Sequence, residues 1–333
     1  MSEKLANKKL YPLKFDPILK ERIWGGNKLK SMLGKNPDKL ESIGESWELS
    51  AVKENVSLVA NGELKGNSLT DLIKLFKHQL VGKKVYNKFK EDFPLLIKLI
   101  DAKDDLSVQV HPDDVLATKK HDSFGKTEMW YVLDDSKKPK LVNGFKKHTS
   151  REEVLSMLRE NTFTELLNID SVKKGDVAFI PAGRIHAICK GNLVVEIQQT
   201  SDITYRVYDY DRVDKNGKKR ELHVEDGLDA LDYSAVGDSI IPTRGKNNKV
   251  EKIVKCQYFT CNLIQFDSLI SREYMALDCF KILIGVDGVT ALNVEDNEEI
   301  IRTGDVVLIP AIKNNIKLVT DLKPAKLLEI FID

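Results

Sequence analysis

The chain has 333 residues, 42% of them hydrophobic, and a formal net charge of +1. That length supports a sizeable core and about two domains, and the balanced charge gives no reason to expect nucleic acid or an anionic membrane as the main partner. The N-terminal MSEKLANKKLYPLKF has no apolar run that would act as a signal sequence, and no stretch is long and apolar enough to span a bilayer.

In chain order, SLTDLIKLFKHQLVGKKVYNKFK reads as helical, with Leu72, Leu75 and Phe76 on one face and Ser68 or Thr70 as the start signal. LLIKLID then reads as a strand. In SVQVHPDD, residues 107–114, a strand would turn Gln109 and His111 to one face and Val108 and Val110 to the other. An imidazole and an amide oxygen side by side suit two ligands of one metal ion, or two barrel residues satisfied by neighbours. EMWYVL reads as a strand with a carboxylate, Glu128, at its apolar start. TSREEVLSMLRENTFTELLN is helical, with Ser150 ahead of Glu152 and Glu153 in the first turn and Val154, Met157 and Leu158 as the stripe.

Beyond it, DVAFIPA, LVVEIQQT, YRVYDYD, KILIGVDG, VVLIPA and KLLEIFI read as short strands between turns, the pattern of a barrel or jelly roll. Alternation puts Glu196 and Gln198 on one face, and Arg206, Tyr208 and Tyr210 on one face. The segment GDVAFIPAG at 175–183 returns as GDVVLIPA at 304–311, which points to a duplicated unit. The polar GDSIIPTRGKNNKVEK between the halves is the candidate boundary. Cys189, Cys256, Cys261 and Cys279 form no C-x-x-C pair and read as free thiols of a reducing cytoplasm. A metal here would be held by His, carboxylate or amide. His78, His121, His148 and His223 read as structural or exposed.

From Gly175 the first copy continues through Pro181 and Gly183 to His186 as G-x5-P-x-G-x2-H, which resembles the second motif of the cupin superfamily. The resemblance implies that His186 enters a barrel and binds metal, that Gln109-Val110-His111 stands where cupins carry H-x-H, and that Glu128 is the motif glutamate. The second copy has Pro310 but no His after it. The expected fold is therefore mainly β, with two cupin-like jelly-roll barrels and a small helical segment. Residues 1–240 form the metal-binding catalytic domain, with helical insertions near 68–90 and 150–167. Residues 250–333 form a β-domain without a metal site.

SVQVHPDD, GKTEMWYVL, PAGRIHAI and VEIQQTSDITYRVYDYDR resemble the signature blocks of type I mannose-6-phosphate isomerases, and RIWGG and GESWELS their N-terminal blocks, so the likeness covers most of the chain. The length suits the short bacterial form. The resemblance implies a zinc-dependent aldose–ketose isomerase interconverting mannose 6-phosphate and fructose 6-phosphate, one Zn2+ per chain. It assigns Gln109, His111, Glu128 and His186 to zinc and Arg206 to catalysis. Longer relatives carry lysine near Arg212, so Arg212 is assigned only as a cation.

The chemistry needs charge stabilisation, because the proton that moves between C1 and C2 leaves an enediolate, and a Lewis acid and cations serve that charge. Arginine is a poor base, so Arg206 is expected to stabilise the enediolate. Glu196, Lys126 and Asp202 are the candidates for proton transfer, as is metal-bound water. Ser107, Arg212 and Lys126 are expected to hold the substrate, with Arg184 beside His186. The partner is a small phosphosugar; the oligomeric state is not legible. Two other readings share the two-His, one-carboxylate set: a non-haem iron oxygenase and a non-catalytic sugar-binding cupin.

Overall fold

The strands of the computed structural model, which describes residues 8–35, 40–134, 138–213, 216–243, 245–320 and 324–333, fall where the apolar runs do. They include Leu95–Asp101, Val108–Val110, Glu128–Asp134, Asp176–Ile180, Leu193–Gln199, Tyr205–Tyr208, Lys281–Asp287, Val306–Ile309 and Ala325–Phe331. Pro181 and Pro310 follow one residue after two of them, where a strand can spare the missing N–H.

The run 68–90, expected as one helical stretch, is three short helices: Leu69–Phe76, His78–Val81 and Lys83–Phe89. Lys77 at φ 49° and Gly82 at φ 93° lie in left-handed backbone that an α-helix cannot pass through. Ser68 caps the first helix by accepting the Asp71 N–H, and Ser150 caps Arg151–Arg159 by accepting the Glu153 N–H.

The chain forms two compact units. One comprises Leu19–Ser46 and Ile97–Pro242; the other comprises the chain up to Ile18, Trp47–Leu96 and Thr243–Asp333. The helices within 69–89, read from sequence as an insertion in 1–240, group with the C-terminal strands.

A seven-stranded sheet, most of whose residues belong to the first unit, runs in the order Ile18–Gly26, Ile43–Leu49, Leu95–Asp101, Leu193–Gln199, Glu128–Asp134, Asp176–Ile180, Ile240–Pro242. A five-stranded sheet runs Tyr205–Tyr208, Val108–Val110, His186–Ile188, Lys140–Phe145, Leu167–Ser171. Trp130, Val132, Ala178, Ile180 and Val194 of the larger sheet share one buried cluster with Leu141 and Ile188 of the smaller, so the two sheets pack face to face. A separate cluster covers the other face of the smaller sheet, where Val108, Val110, Tyr205 and Val207 meet Val154, Phe163 and Leu228. Both sheets are open: among the described residues, the end strands of each are not paired with one another. The fold is mainly β and cupin-like, but facing open sheets replace the closed barrels expected.

The second unit repeats the plan with a five-stranded sheet, Lys249–Lys255, Thr260–Phe266, Ala325–Phe331, Lys281–Asp287, Val306–Ile309, and a four-stranded sheet, Ile270–Glu273, Asn315–Thr320, Val289–Val294, Asn297–Arg302. The duplication extends to register. Ile180 pairs with Glu128 in the first copy, and its counterpart Ile309 pairs with Lys281 in the second. An ammonium thus stands at the glutamate position. Lys281 is fully buried and donates to the Lys313 carbonyl at 2.7 Å; burial lowers its pKa to about 8. Two residues along each strand, Trp130 faces Glu196 and Leu283 faces Glu329. Buried Glu329 is held by Arg272 at 3.0 and 2.9 Å, by Tyr274 at 2.5 Å and by Asn262 at 2.7 Å.

Asp305 closes the turn of this second copy. Its carboxylate accepts the Arg302 N–H at 3.0 Å and lies 3.5 Å from Lys14. Asp305→Ala should cost about 1–2 kcal/mol, lowering the melting temperature by about 2–4 °C with metal content unaltered. A thermal melt with metal analysis on the same preparation checks this; loss of metal at unchanged stability would contradict it.

Candidate metal centre

Val108 and Val110 anchor in the buried cluster, and this turns Gln109 and His111 inward, to the space between the sheets. Pro112 ends the strand. The His111 carbonyl accepts the N–H of Gly183, whose φ of +86° is the backbone that makes the turn before His186. His186 pairs in register with Gln109, and Glu128 opens the facing strand of the larger sheet. The interior is graded. Ile100, Val132, Val194 and Ala178 are apolar at one end, whereas Lys98, Glu196, Gln198 and Glu128 lie on the same strands towards the other, all buried.

The geometry at the polar end is that of a cation site. His111 Nδ1 lies 2.9 Å from the Ile203 carbonyl and His186 Nδ1 lies 2.8 Å from the Arg184 carbonyl. Each Nδ1–H therefore donates to backbone, and each Nε2 presents a lone pair to the centre. His111 Nε2 stands 3.4 Å from Glu128 Oε2, His186 Nε2 stands 3.6 Å from Glu128 Oε1, and Gln109 Nε2 stands 3.3 Å from His186 Nε2. A tetrahedral cation with ligands at about 2.0–2.2 Å has ligand–ligand edges of about 3.3–3.6 Å. Exchanging the two ends of the Gln109 amide, whose oxygen and nitrogen are assigned by their contacts, puts an oxygen at the fourth corner.

Both carboxylate oxygens of fully buried Glu128 lack a hydrogen bond. Lys126 Nζ lies 3.1 Å from Glu128 Oε2 and 3.1 Å from His111 Nε2, a charge contact set off the direction a hydrogen bond needs at the carboxylate. Burial lowers both imidazoles, His111 to about 3 with Lys126 adding to the fall, so both rings are held in the neutral form that can accept a cation. Burial alone would raise the Glu128 carboxyl, but Lys126 and then His111 outweigh it and hold it well below the usual range. Burial alone would likewise lower Lys126, and Glu128 and Glu196 overcome it to raise the ammonium. Two buried imidazoles and a buried carboxylate, with the half-buried Gln109 amide beside them, fit a small divalent cation.

Of the residues singled out from sequence, Gln109, His111, Glu128, His186 and Lys126 come together. Buried Ser107 lies beside Gln109, its Oγ 3.5 Å from the amide oxygen. Glu196 is adjacent on the interior face, but its carboxylate is engaged by Lys98 at 3.0 Å and by the Trp130 indole at 3.0 Å. Lys98 was missed; a lysine inside the apolar LLIKLID was its signal. Asp202 is exposed. Arg184 reaches Asn143 Oδ1 at 3.4 Å, and Arg212 pairs with Asp209 at 2.5 Å and donates to the Asp105 carbonyl.

Arg206 faces Gln109 in register and so looks inward. The expected sharing of its face by Tyr208 and Tyr210 is corrected: the register slips between Arg206 and Tyr208, and both tyrosines pack against the outer cluster. One extra residue in the strand turns every later side chain to the other face. His121 and His223 are satisfied locally, by the Tyr205 hydroxyl at 2.7 Å and by the Arg206 N–H at 3.3 Å.

A buried His–Glu–His centre between two facing sheets defines a cupin-like protein with a metal-type site. Comparison carries this to a family. Residues 12–150 match the catalytic domain of phosphomannose isomerase type I. The mannose-6-phosphate isomerase ManA of Bacillus subtilis is 38% identical over 253 residues, 75% of this chain and 78% of that protein. The mannose-6-phosphate isomerase of Streptococcus mutans is 35% identical over 302 residues, 90% and 92% of the two chains. The crystal structure of the Bacillus subtilis mannose 6-phosphate isomerase superposes with a TM-score of 0.83 at 32% identity, covering 96% of this chain and 99% of that one. A mannose 6-phosphate isomerase bound with zinc and yttrium shares the fold, with a TM-score of 0.75 at 16% identity over 97% of this chain. The chain belongs to the type I phosphomannose isomerases and is an isomerase. Membership sets aside the oxygenase and non-catalytic readings. Among the described residues no helix is long and apolar enough to cross a membrane.

Proposed function

We propose that the protein interconverts mannose 6-phosphate and fructose 6-phosphate through an enediolate, with one zinc ion held by Gln109, His111, Glu128 and His186. The observation that carries the metal is Glu128: a buried carboxylate whose two unbonded oxygens meet two imidazole Nε2 atoms at 3.4 and 3.6 Å. Zinc suits a site of nitrogen and oxygen donors without thiolate, and the structure that shares this fold with zinc bound supports that choice. When bound, zinc supplies Lewis-acid stabilisation of the charge that develops on the sugar oxygens.

The chain's own residues do the rest. Arg206, inward-facing with its Nε buried and unbonded, donates to the enediolate oxygens. Lys126 adds a second buried cation beside them. Ser107 and Arg212 complete the proposed substrate contacts, Arg212 from its anchorage on Asp209. Glu196 remains a proton-transfer candidate together with Lys126; with both its oxygens engaged, it would have to give up a bond to Lys98 or Trp130 first. The second unit is proposed to bind no metal, since Lys281 stands at the Glu128 position. The proposed setting is the cytoplasm, where four unpaired cysteines persist.

A coupled assay with mannose 6-phosphate tests this reading. Purified protein should carry about one zinc per chain, chelation should cut turnover by about a thousandfold or more, and added zinc should restore it. Full turnover in metal-depleted protein would refute the metal assignment, and no turnover of the zinc-loaded protein would refute the substrate.

A further inference from the structure

Among the described residues, three of the six buried side-chain oxygens without a hydrogen-bond partner sit on two facing residues, Glu128 and Gln198. The pair is in register: Gln198 of Leu193–Gln199 lies directly opposite Glu128. Directly opposed antiparallel residues share a face, with Cβ atoms about 4.5–5.5 Å apart. Gln198 is fully buried, and its amide orientation is fixed. Nε2 donates to the Gln199 carbonyl at 2.8 Å and to the Ser201 carbonyl at 2.6 Å, so both N–H groups are spent. Rotating the amide would set its oxygen against two carbonyl oxygens. Oε1 is therefore an acceptor only, dry, and without a donor among the described residues.

A cation satisfies the Glu128 carboxylate but gives an amide oxygen that is not a ligand nothing to accept. What it lacks is a hydrogen. The geometry points to Gln198 as an orienting acceptor of this centre: its fixed amide oxygen takes the hydrogen of an O–H group lying at the cation site, either water or a sugar hydroxyl. The inference rests on the metal reading above. A pure tether is the competing role, because the same amide pins the turn 199–201, two residues before the Ile203 carbonyl that fixes His111. The roles separate chemically. The acceptor role needs Oε1; the tether needs only Nε2.

Two substitutions divide them. Gln198→Met removes the acceptor and both donors at similar volume. Gln198→Glu removes both donors and keeps an acceptor. The probe is zinc, titrated into metal-depleted full-length protein against a chelating dye with no sugar present, alongside the melting temperature of the metal-free protein and the KM for mannose 6-phosphate at saturating zinc. If the donor is water, Gln198→Met should weaken zinc binding by about tenfold or more, while Gln198→Glu, whose second oxygen meets the Gln199 and Ser201 carbonyls, should lower the metal-free melting temperature yet keep zinc affinity much closer to wild type than Gln198→Met does. If the donor is a sugar hydroxyl, zinc affinity should hold in Gln198→Met while KM rises about tenfold, and Gln198→Glu should keep KM near wild type. Equal losses in both variants, in step with equal falls in the metal-free melting temperature, would establish the tether and overturn the inference. So would wild-type zinc affinity and KM in Gln198→Met. Wild-type protein that takes up no zinc would overturn the metal reading and this inference with it, whereas normal wild-type uptake beside an unaltered Gln198→Met removes this inference alone.

Discussion

His186→Ala should lose zinc and turnover together, with activity down by about a thousandfold or more. The ring is fully buried, its Nδ1 is fixed on the Arg184 carbonyl, and its Nε2 forms two of the short edges of the centre, 3.6 Å to Glu128 and 3.3 Å to Gln109. Removing it deletes a ligand that enters neutral and pre-oriented, so no proton has to leave before metal binds. His111→Ala should behave alike. Glu128→Gln would be the less clean experiment: it leaves Lys126 buried 3.1 Å from a neutral amide, and an uncompensated buried charge costs about 3–5 kcal/mol. Loss of activity there would mix unfolding with chemistry. Metal analysis, turnover and a thermal melt on His186→Ala decide the matter. Full zinc occupancy would show that the centre lies elsewhere; normal turnover without zinc would show that the metal is not used.

What could be read in advance follows the range of the interactions. Period-two alternation and the Pro stops are local, so strands such as Leu95–Asp101 and Leu193–Gln199 were legible from their own residues. The inward placement of His186 was legible because G-x5-P-x-G-x2-H fixes a turn and the residue after it within one segment. The helix Asp114–His121 was not seen, although Asp113 caps it with a 2.8 Å bond from the Leu116 N–H. Its run of DVLATKKH buries only Ala117 and carries no apolar stripe, so the lysines of its last turn and the cap were the available signals. The break of 68–90 into three helices was hidden because a left-handed φ at a lysine has no composition signature, whereas Gly82 was in plain sight. The slip after Arg206 depends on pairing with Val108–Val110, a partner about a hundred residues away in sequence, and alternation within one strand cannot reveal it. The pairing of Lys98 with Glu196 is of the same kind. Each residue looked anomalous in its own apolar strand, and only the sheet order shows that they answer one another.

Arg206→Ala should lower kcat by about a hundredfold or more while KM changes little. The argument starts from placement. Arg206 lies opposite Gln109, its Nη1 donates to the Glu221 carbonyl at 2.7 Å, and its Nε is buried with no acceptor. One edge of the guanidinium is thus fastened to backbone, and a donor is held ready for an oxygen that the protein does not supply. Burial, then Arg220, lowers its pKa, which means that the site disfavours its charge until a negative partner arrives. The enediolate is more negative at its oxygens than the bound sugar, so the contact strengthens along the reaction and appears in kcat. Asp209 already takes Arg212 at 2.5 Å and Arg220 at 2.8 Å, so it does not neutralise Arg206 with a bond of its own. Arg206→Lys should recover only part of the loss, because a point charge cannot hold the Glu221 carbonyl and reach the oxygens at once. Zinc content should stay normal in both variants, since no ligand is touched. If Arg206 holds the phosphate, KM will rise steeply at wild-type kcat. Steady-state kinetics with zinc measured in the same preparations separates the two roles, and a wild-type kcat in Arg206→Ala would end the catalytic one.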